Sequence, residues 1–250
     1  MTLVPVVTFG LVIGSFVNVV IARVPQRRSL WAPRSSCPAC GHPIAWYDNI
    51  PLLSFAVLKG RCRACAAPIP WRYPVVEAAT ATLFAMAWLV FGGDIRDFVV
   101  AAIFLAALVA ITVIDLRHQI IPDALTLPGV VVGLVASLAT NRLSWVESLG
   151  GMLLGAGLFV AVIVLSRGGM GGGDLKLGAM LGAFLGWKPL LVALFLAVML
   201  GGICAVALLA SGKLARKDAI PFGPFLALGG VVALFWGNAI VAWYLGGFDR

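Results

Sequence analysis

The hydrophobic and polar positions of this 250-residue chain form long apolar runs separated by short polar connections. A helix needs roughly 20 apolar residues to cross the hydrocarbon layer of a bilayer. Seven runs meet this requirement and are predicted spans: residues 3–22, 74–91, 98–114, 124–140, 149–166, 190–210 and 222–245. An eighth candidate, residues 175–187, is shorter and contains several glycines, which lower its helix propensity.

One polar connection is much longer than the others and is the only candidate for an extramembrane domain. The pattern therefore predicts a first transmembrane helix at residues 1–22, a cysteine-rich domain at 23–73 and a transmembrane domain at 74–250. The predicted fold class is an all-α polytopic membrane protein. It has about eight transmembrane helices and a small zinc-ribbon-like insertion between the first and the second.

Composition indicates a polytopic membrane protein rather than a soluble domain with a large core. Hydrophobic residues make up 62% of the chain and charged residues 11%, and the mean hydropathy is +1.05. No basic residue precedes the first apolar run, whereas Arg23, Arg27 and Arg28 follow it. This order is the reverse of a secretory signal peptide, so we expect a retained span with its amino terminus outside. The net charge is +8, and the basic residues lie beside apolar spans. This position favours anionic membrane lipid over nucleic acid as their partner.

The distribution of basic residues sets the predicted orientation. With eight spans and an external amino terminus, fourteen basic residues lie on the inner side and four on the outer side, in accordance with the positive-inside rule. The inner set is Arg23, Arg27, Arg28, Arg34, Lys59, Arg61, Arg63, Arg72, Arg117, Arg167, Lys176, Lys213, Arg216 and Lys217; the outer set is Arg96, Arg142, Lys188 and Arg250. If residues 175–187 do not cross, the cluster at 213–217 moves outside and the bias weakens. Eight spans place the cysteine segment and Asp174 in the cytoplasm.

Four of the five cysteines form two CxxC pairs in the long connection. Cys37 and Cys40 form the first pair, and Cys62 and Cys65 follow 21 residues later. Two residues between thiols let each pair bind one tetrahedral ion from a tight turn, and four thiolates complete the shell of a structural zinc ribbon. The alternative is four thiols without metal. Stable disulfides are not expected in the reducing cytoplasm.

Ten acidic residues occur in this apolar chain, and most lie in predicted loops or at a terminus. Four lie elsewhere: Glu77, Asp115, Asp123 and Asp174. The last three lie at predicted cytoplasmic ends of spans, so one site could include them. For Asp123, which follows Pro122 at a helix start, helix capping is the favoured interpretation. Lys176 is expected either to favour the ionised form of Asp174 or to face lipid phosphates.

A catalytic pair is one interpretation of Asp115 and Asp174. Two close aspartates can share one proton, so that one takes a proton from water while the other polarises a carbonyl group. The glycines of GMGGGDLKL around Asp174 would let a helix or a peptide backbone approach closely. The alternative is capping, which fits Asp174 before a helix but fits Asp115 poorly, because the helix dipole disfavours a negative charge at the carboxyl-terminal end of a helix.

Six stretches, taken together and in order, resemble the bacterial type 4 prepilin leader peptidase and N-methyltransferase family. They are GSFVNVVIARVP (14–25), CPACGHPIAWYDNIPLLSF (37–55), GRCRACAAPIPWRYPVVE (60–77), IDLRHQIIPD (114–123), GMGGGDLKLGAMLGAFLGW (169–187) and IPFGPFLALGG (220–230). Gly171, Gly173 and Asp174 also match the motif of GxGD-type intramembrane aspartic peptidases.

The resemblance implies a multi-pass enzyme of the bacterial inner membrane with Asp115 and Asp174 as catalytic residues. It implies cleavage of the basic leader from type IV prepilin-like or pseudopilin precursors, after a glycine and on the cytoplasmic side. It also implies methylation of the new amino terminus with S-adenosylmethionine, a function associated with the cysteine segment. The residues themselves leave open a transporter or channel with a zinc-stabilised domain, or a scaffold, and they do not indicate an oligomeric state.

Overall fold

A computed structural model describes residues 2–32, 34–140, 142–166, 171–212 and 220–246. Every regular element in these ranges is helical, apart from two isolated β-bridges. The α-helices are α1 (Leu3–Arg23), α2 (Leu53–Val57), α3 (Arg72–Phe91), α4 (Ile95–His118), α5 (Asp123–Ala139), α6 (Trp145–Leu165), α7 (Gly172–Leu185), α8 (Trp187–Ala210) and α9 (Gly223–Gly246). Short 3₁₀ turns lie at Val24–Gln26 and Trp46–Asn49.

Eight of these helices correspond in order to the eight predicted spans, so the all-α polytopic fold is confirmed. Six are long and apolar enough to cross a membrane, which makes the chain a multi-pass membrane protein. The other two, α5 with 17 residues and α7 with 14, are shorter. Apolar side chains on the outer face of α5 agree with a lipid environment: Leu138 is 75% exposed.

Contacts between residues divide the chain into two compact units, residues 1–110 and 111–250. In the first unit, α1 packs against α3. Glycines on α1 allow this approach: a Cβ atom at Gly10 would lie 2.7 Å from the Cα of Ala81, and one at Gly14 would lie 2.7 Å from the Cα of Glu77. Small residues are the usual contact surface of packed membrane helices.

In the second unit, α7 packs against α6 through glycines on both helices. Gly151 and Gly155 on α6 contact the backbone of Gly182 and Gly178 on α7, with no room for a Cβ atom at any of the four. The two glycines on each helix are four residues apart, as in a GxxxG motif. The Ser148 hydroxyl also donates a hydrogen bond to the Ala183 carbonyl over 2.7 Å. These contacts determine where the first turn of α7 lies.

Candidate active site

Asp115 lies in the last turn of α4, and the residues after it explain why the helix ends there. Gln119 has a left-handed backbone (φ 52°), and its N–H donates to the Asp115 carbonyl over 2.8 Å. Pro122 then restricts the residue before it, Ile121, to an extended conformation. The chain therefore leaves α4, crosses a short extended stretch and begins α5 at Asp123.

The side chain of Asp115 is buried, with only 4% of the residue exposed. Its Oδ2 accepts a hydrogen bond of 2.9 Å from the N–H of Gly223, the first residue of α9. The amino terminus of a helix carries partial positive charge and stabilises a carboxylate. The unfavourable place of Asp115 at the end of its own helix is therefore compensated by the start of another helix.

Asp174 lies in the first turn of α7 and is partly buried. Gly171 precedes the helix as its cap, and no side chain caps this end. The backbone N–H of Asp174 instead donates to the Gly171 carbonyl over 3.2 Å. The capping interpretation of Asp174 is therefore wrong, and its carboxyl group is available for another role.

Both aspartates line one cavity of about 680 Å³. The structure thus brings together two carboxyl groups that are 59 residues apart in the sequence. Other lining residues come from four further places in the second unit: Gln119, Ile120, Ile121, Asp123, Val162, Ser166, Gly171, Gly173, Ile220, Pro221 and Phe222.

Ile121 packs between the two segments that carry the site. A Cβ atom at Gly173 would lie 2.9 Å from the Ile121 Cβ, and one at Gly223 would lie 3.3 Å from the Ile121 Cδ1. The glycine before Asp174 is therefore needed for a packed isoleucine. This contact positions the start of α7 relative to the connection that follows α4.

Asp123 forms an ion pair rather than a cap. Its Oδ1 lies 2.6 Å from the Lys176 ammonium, and the cap of α5 is Pro122, with no side-chain capping bond. The expectation that Asp123 caps this helix is therefore wrong. Lys176 likewise pairs with Asp123, and not with Asp174 as one interpretation expected.

The cysteine segment contains two turns of the same geometry. In the first turn, the Cys37 N–H donates to the His42 carbonyl and the Gly41 N–H donates to the Cys37 carbonyl, over 2.9 and 2.8 Å. In the second, the Cys62 and Ala66 N–H groups make the equivalent bonds over 2.8 and 2.9 Å. Both turns contain a left-handed residue after the second cysteine, with φ 71° at Gly41 and 55° at Ala66.

The four thiols of these turns form one cluster. All four Sγ atoms lie within 4.8 Å of one another, and the Cys37 and Cys65 sulfurs are 3.9 Å apart. Sulfurs bound to one tetrahedral zinc at 2.3 Å would be about 3.8 Å apart, so the cluster has the size of a metal site. Backbone N–H groups of Cys40 and Ala39 lower the pKa of the Cys37 thiol to about 7, which favours the thiolate that binds metal.

Glu77 has a structural contact in the first unit. It is buried on α3, and its Oε2 accepts a 2.9 Å hydrogen bond from the backbone N–H of Leu52. Leu52 has a left-handed φ of 58°, an uncommon conformation for this residue type. The carboxylate thus stabilises the strained turn that leads into α2.

Comparison with known proteins identifies the family. Residues 8–91 match the Bacterial Peptidase A24 N-terminal domain, and residues 102–206 match the Type IV leader peptidase family. The chain is 41% identical to a prepilin leader peptidase/N-methyltransferase of Aeromonas hydrophila, over 96% of this chain and 92% of that protein. The protein belongs to the type IV leader peptidase family. No solved structure matches it.

Two further relatives of this peptidase carry the same name. The Bacillus subtilis (strain 168) protein is 37% identical over 95% of each chain, and the Legionella pneumophila protein is 38% identical over 95% of this chain and 92% of that protein. These relatives favour a peptidase over the transporter or channel that the residues alone left open. Of the charged residues used to predict orientation, Arg167, Arg250 and the cluster at 213–217 lie outside the described residues.

Sequence reasoning missed two residues of this candidate site. Gly223 and Ile121 both lie in stretches that resemble the family, but neither has a side chain that suggests chemistry. The signal in the sequence was the glycine itself: Gly223 stands between aromatic and proline residues in PFGPF at a helix start, where a glycine indicates close approach of another group.

Proposed function

We propose that Asp115 and Asp174 form the aspartyl dyad with which this protein cleaves the leader from prepilin-like or pseudopilin precursors. The observation that carries the proposal is their placement in one cavity, where Asp115 accepts a hydrogen bond from the start of α9 and Asp174 lies in the first turn of α7. The protein also methylates the new amino terminus, in keeping with its bifunctional relatives.

A balanced proton transfer follows from a dyad that holds one proton. The ionised aspartate removes a proton from water, the water oxygen bonds to the scissile carbonyl carbon, and the protonated aspartate gives its proton to the carbonyl oxygen. The resulting tetrahedral diol collapses as one hydroxyl returns a proton to the second aspartate. The first aspartate then protonates the leaving nitrogen and the C–N bond breaks, which restores the starting state.

The membrane and the side on which cleavage occurs also belong to this proposal. We place the protein in the bacterial inner membrane with its active site facing the cytoplasm. The excess of inner over outer basic residues supports this orientation. The region 23–73 carries eight basic residues and one acidic residue, so it favours anionic lipid headgroups, which would also attract a basic leader.

Zinc is the metal that best fits the cysteine cluster. Cys37, Cys40, Cys62 and Cys65 would bind it, and a closed shell of four sulfurs leaves no open position for substrate. The metal would therefore order the segment at 23–73, next to a peptidase domain at 74–250, and would take no part in proteolysis.

S-adenosylmethionine is the methyl donor that the function implies. The described residues contain no βαβ unit with a glycine-rich turn, one common type of nucleotide-binding site. We therefore assign no residue to this cofactor.

The direct test uses purified protein and a synthetic precursor peptide in detergent, with and without S-adenosylmethionine. We expect cleavage after glycine in both reactions. Only with the cofactor do we expect the mass of the product to increase by about 14 units, which corresponds to one added methyl group. Intact precursor in both reactions, with ion flux in liposomes, would instead support a transporter.

A further inference from the structure

The two carboxyl groups of the proposed dyad have different surroundings. Both lie near a helix amino terminus, but Asp115 accepts a hydrogen bond from a backbone N–H at the start of α9, whereas no group among the described residues donates a hydrogen bond to the Asp174 carboxylate. A hydrogen bond from a donor to a carboxylate favours the ionised form. The site is therefore asymmetric, and the asymmetry comes from Gly223.

Glycine is the only residue type that fits at position 223 without moving Asp115. A Cβ atom there would lie 2.6 Å from the Asp115 Oδ2 and 3.2 Å from its Cγ. Both distances are shorter than ordinary contacts, so a side chain would push the carboxylate away from the N–H that binds it. Gly223 is itself buried, which keeps water from replacing this hydrogen bond.

The charged groups near Asp115 do not cancel this effect. Asp174 on α7 lines the same cavity, and Asp123 from α5 also lines it and is paired with Lys176. On its own helix, Arg117 and His118 are exposed side chains of the last turn. Within the described residues of α9, the group that contacts the Asp115 carboxylate is a backbone N–H.

We propose that Gly223 is a positioning residue that orients Asp115 and keeps it as the ionised member of the dyad. Asp115 is then the base that takes the proton from water, and Asp174 is the acid that protonates the carbonyl oxygen. The division of roles rests on the proposed function, but the Asp115–Gly223 contact can be tested without any catalysis.

Selective labelling can isolate the Gly223 amide. Phenylalanine precedes glycine at only three places in the sequence, Gly10, Gly92 and Gly223. Full-length protein with ¹³C-carbonyl phenylalanine and ¹⁵N-glycine therefore gives three carbonyl-filtered amide signals, and Gly223→Ala identifies one by its loss. We expect Asp115→Asn to move the Gly223 signal and to leave the other two in place. An unmoved Gly223 signal overturns the proposal.

The same signal tests which aspartate is ionised. If Asp115 is ionised at neutral pH, Asp174→Asn replaces a neutral acid by a neutral amide and the Gly223 signal stays where it is. If Asp174 is the ionised member, its replacement lets Asp115 lose a proton, and the signal moves. The first result supports the division of roles, and the second overturns it.

Kinetics of Gly223→Ala give a separate readout, with Gly229→Ala as the matched control. A Cβ atom at Gly229 would also clash, but with the Ala193 carbonyl on α8 and not with a carboxylate. We expect Gly223→Ala to lower kcat about 100-fold with little change in KM, because a catalytic group displaced by about 1 Å costs a factor of this size. Gly229→Ala should lower the melting temperature but keep kcat per folded molecule.

Equal kcat in Gly223→Ala and the wild type overturns the positioning role. Failure of the proposed function has a different signature: Asp115→Asn and Asp174→Asn would then still cleave the precursor, whatever the Gly223 signal does. The two hypotheses can therefore fail independently.

Discussion

The α6–α7 pair and the cysteine segment differ in the contacts that order them. The two helices contact each other through glycine backbone atoms with no space left between them. The cysteine segment has two turns around four clustered sulfurs, and its large side chains are exposed, such as Trp46 at 81%. A region with little apolar burial gains little free energy to offset the entropy of ordering its chain, and a metal bound by the four thiols would supply the difference.

This difference predicts different sensitivities. The helix pair should lose stability when side-chain volume is added at the contact, whereas the cysteine segment should respond to the loss of a thiol or to a change at a left-handed turn position. The three predictions below test that contrast, beginning with the largest effect.

Loss of one metal ligand should have an all-or-none effect. We expect Cys40→Ser to reduce bound zinc from about one per chain to none and to make the segment sensitive to protease. Metal analysis of protein purified without chelators, with limited proteolysis, measures both effects. Cys204→Ser, which replaces a thiol outside the cluster on α8, should retain the metal. An unchanged zinc content in Cys40→Ser would contradict metal binding by the four clustered thiols.

Added volume at the α6–α7 contact should be the next largest effect. Gly182→Ala places a methyl group against the backbone of Gly151, so we expect a loss of about 1–3 kcal/mol in the free energy of unfolding. Gly157→Ala on α6 is the matched control, because open space surrounds that position and alanine has the higher helix propensity. Thermal unfolding in detergent compares the two variants. Equal stabilities would contradict close packing at this contact.

The smallest effect distinguishes the two cysteine turns. Gly41 and Ala66 occupy equivalent left-handed positions, which disfavour residues with a Cβ atom by about 1–2 kcal/mol. We expect Ala66→Gly to raise zinc affinity and Gly41→Ala to lower it, each by about fivefold for about 1 kcal/mol. Competition with a chelator measures these changes. Opposite signs, or no change in either variant, would show that the turns do not have this geometry.

The sequence was sufficient to predict the helices and to select two carboxyl groups that line one cavity. Apolar runs determine where helices must lie in a bilayer, and charged residues in such runs are few enough to single out Asp115 and Asp174. The CxxC spacing predicted the thiol cluster, because two residues between cysteines determine the local turn.

Contacts made by backbone atoms could not be predicted in this way. Gly223 lies 108 residues from Asp115, and its N–H group has no signature of its own in the sequence. The Asp123–Lys176 pair was missed for a related reason: each residue had a plausible local role, as a cap or as a neighbour of Asp174, and only tertiary packing brings them together. The repeat of the cysteine turn could not be predicted either, because the left-handed residue is Gly41 in one turn and Ala66 in the other.

The central claim is that Asp115 and Asp174 together perform the cleavage, and one assay tests it most directly. Purified Asp115→Asn and Asp174→Asn are incubated with a synthetic precursor, with Asp94→Asn as a control at a loop carboxylate that pairs with Arg96. We predict that each dyad variant loses cleavage by about four orders of magnitude or more, while methylation of a peptide that is already cleaved continues. Cleavage near the wild-type rate in either dyad variant would contradict the account.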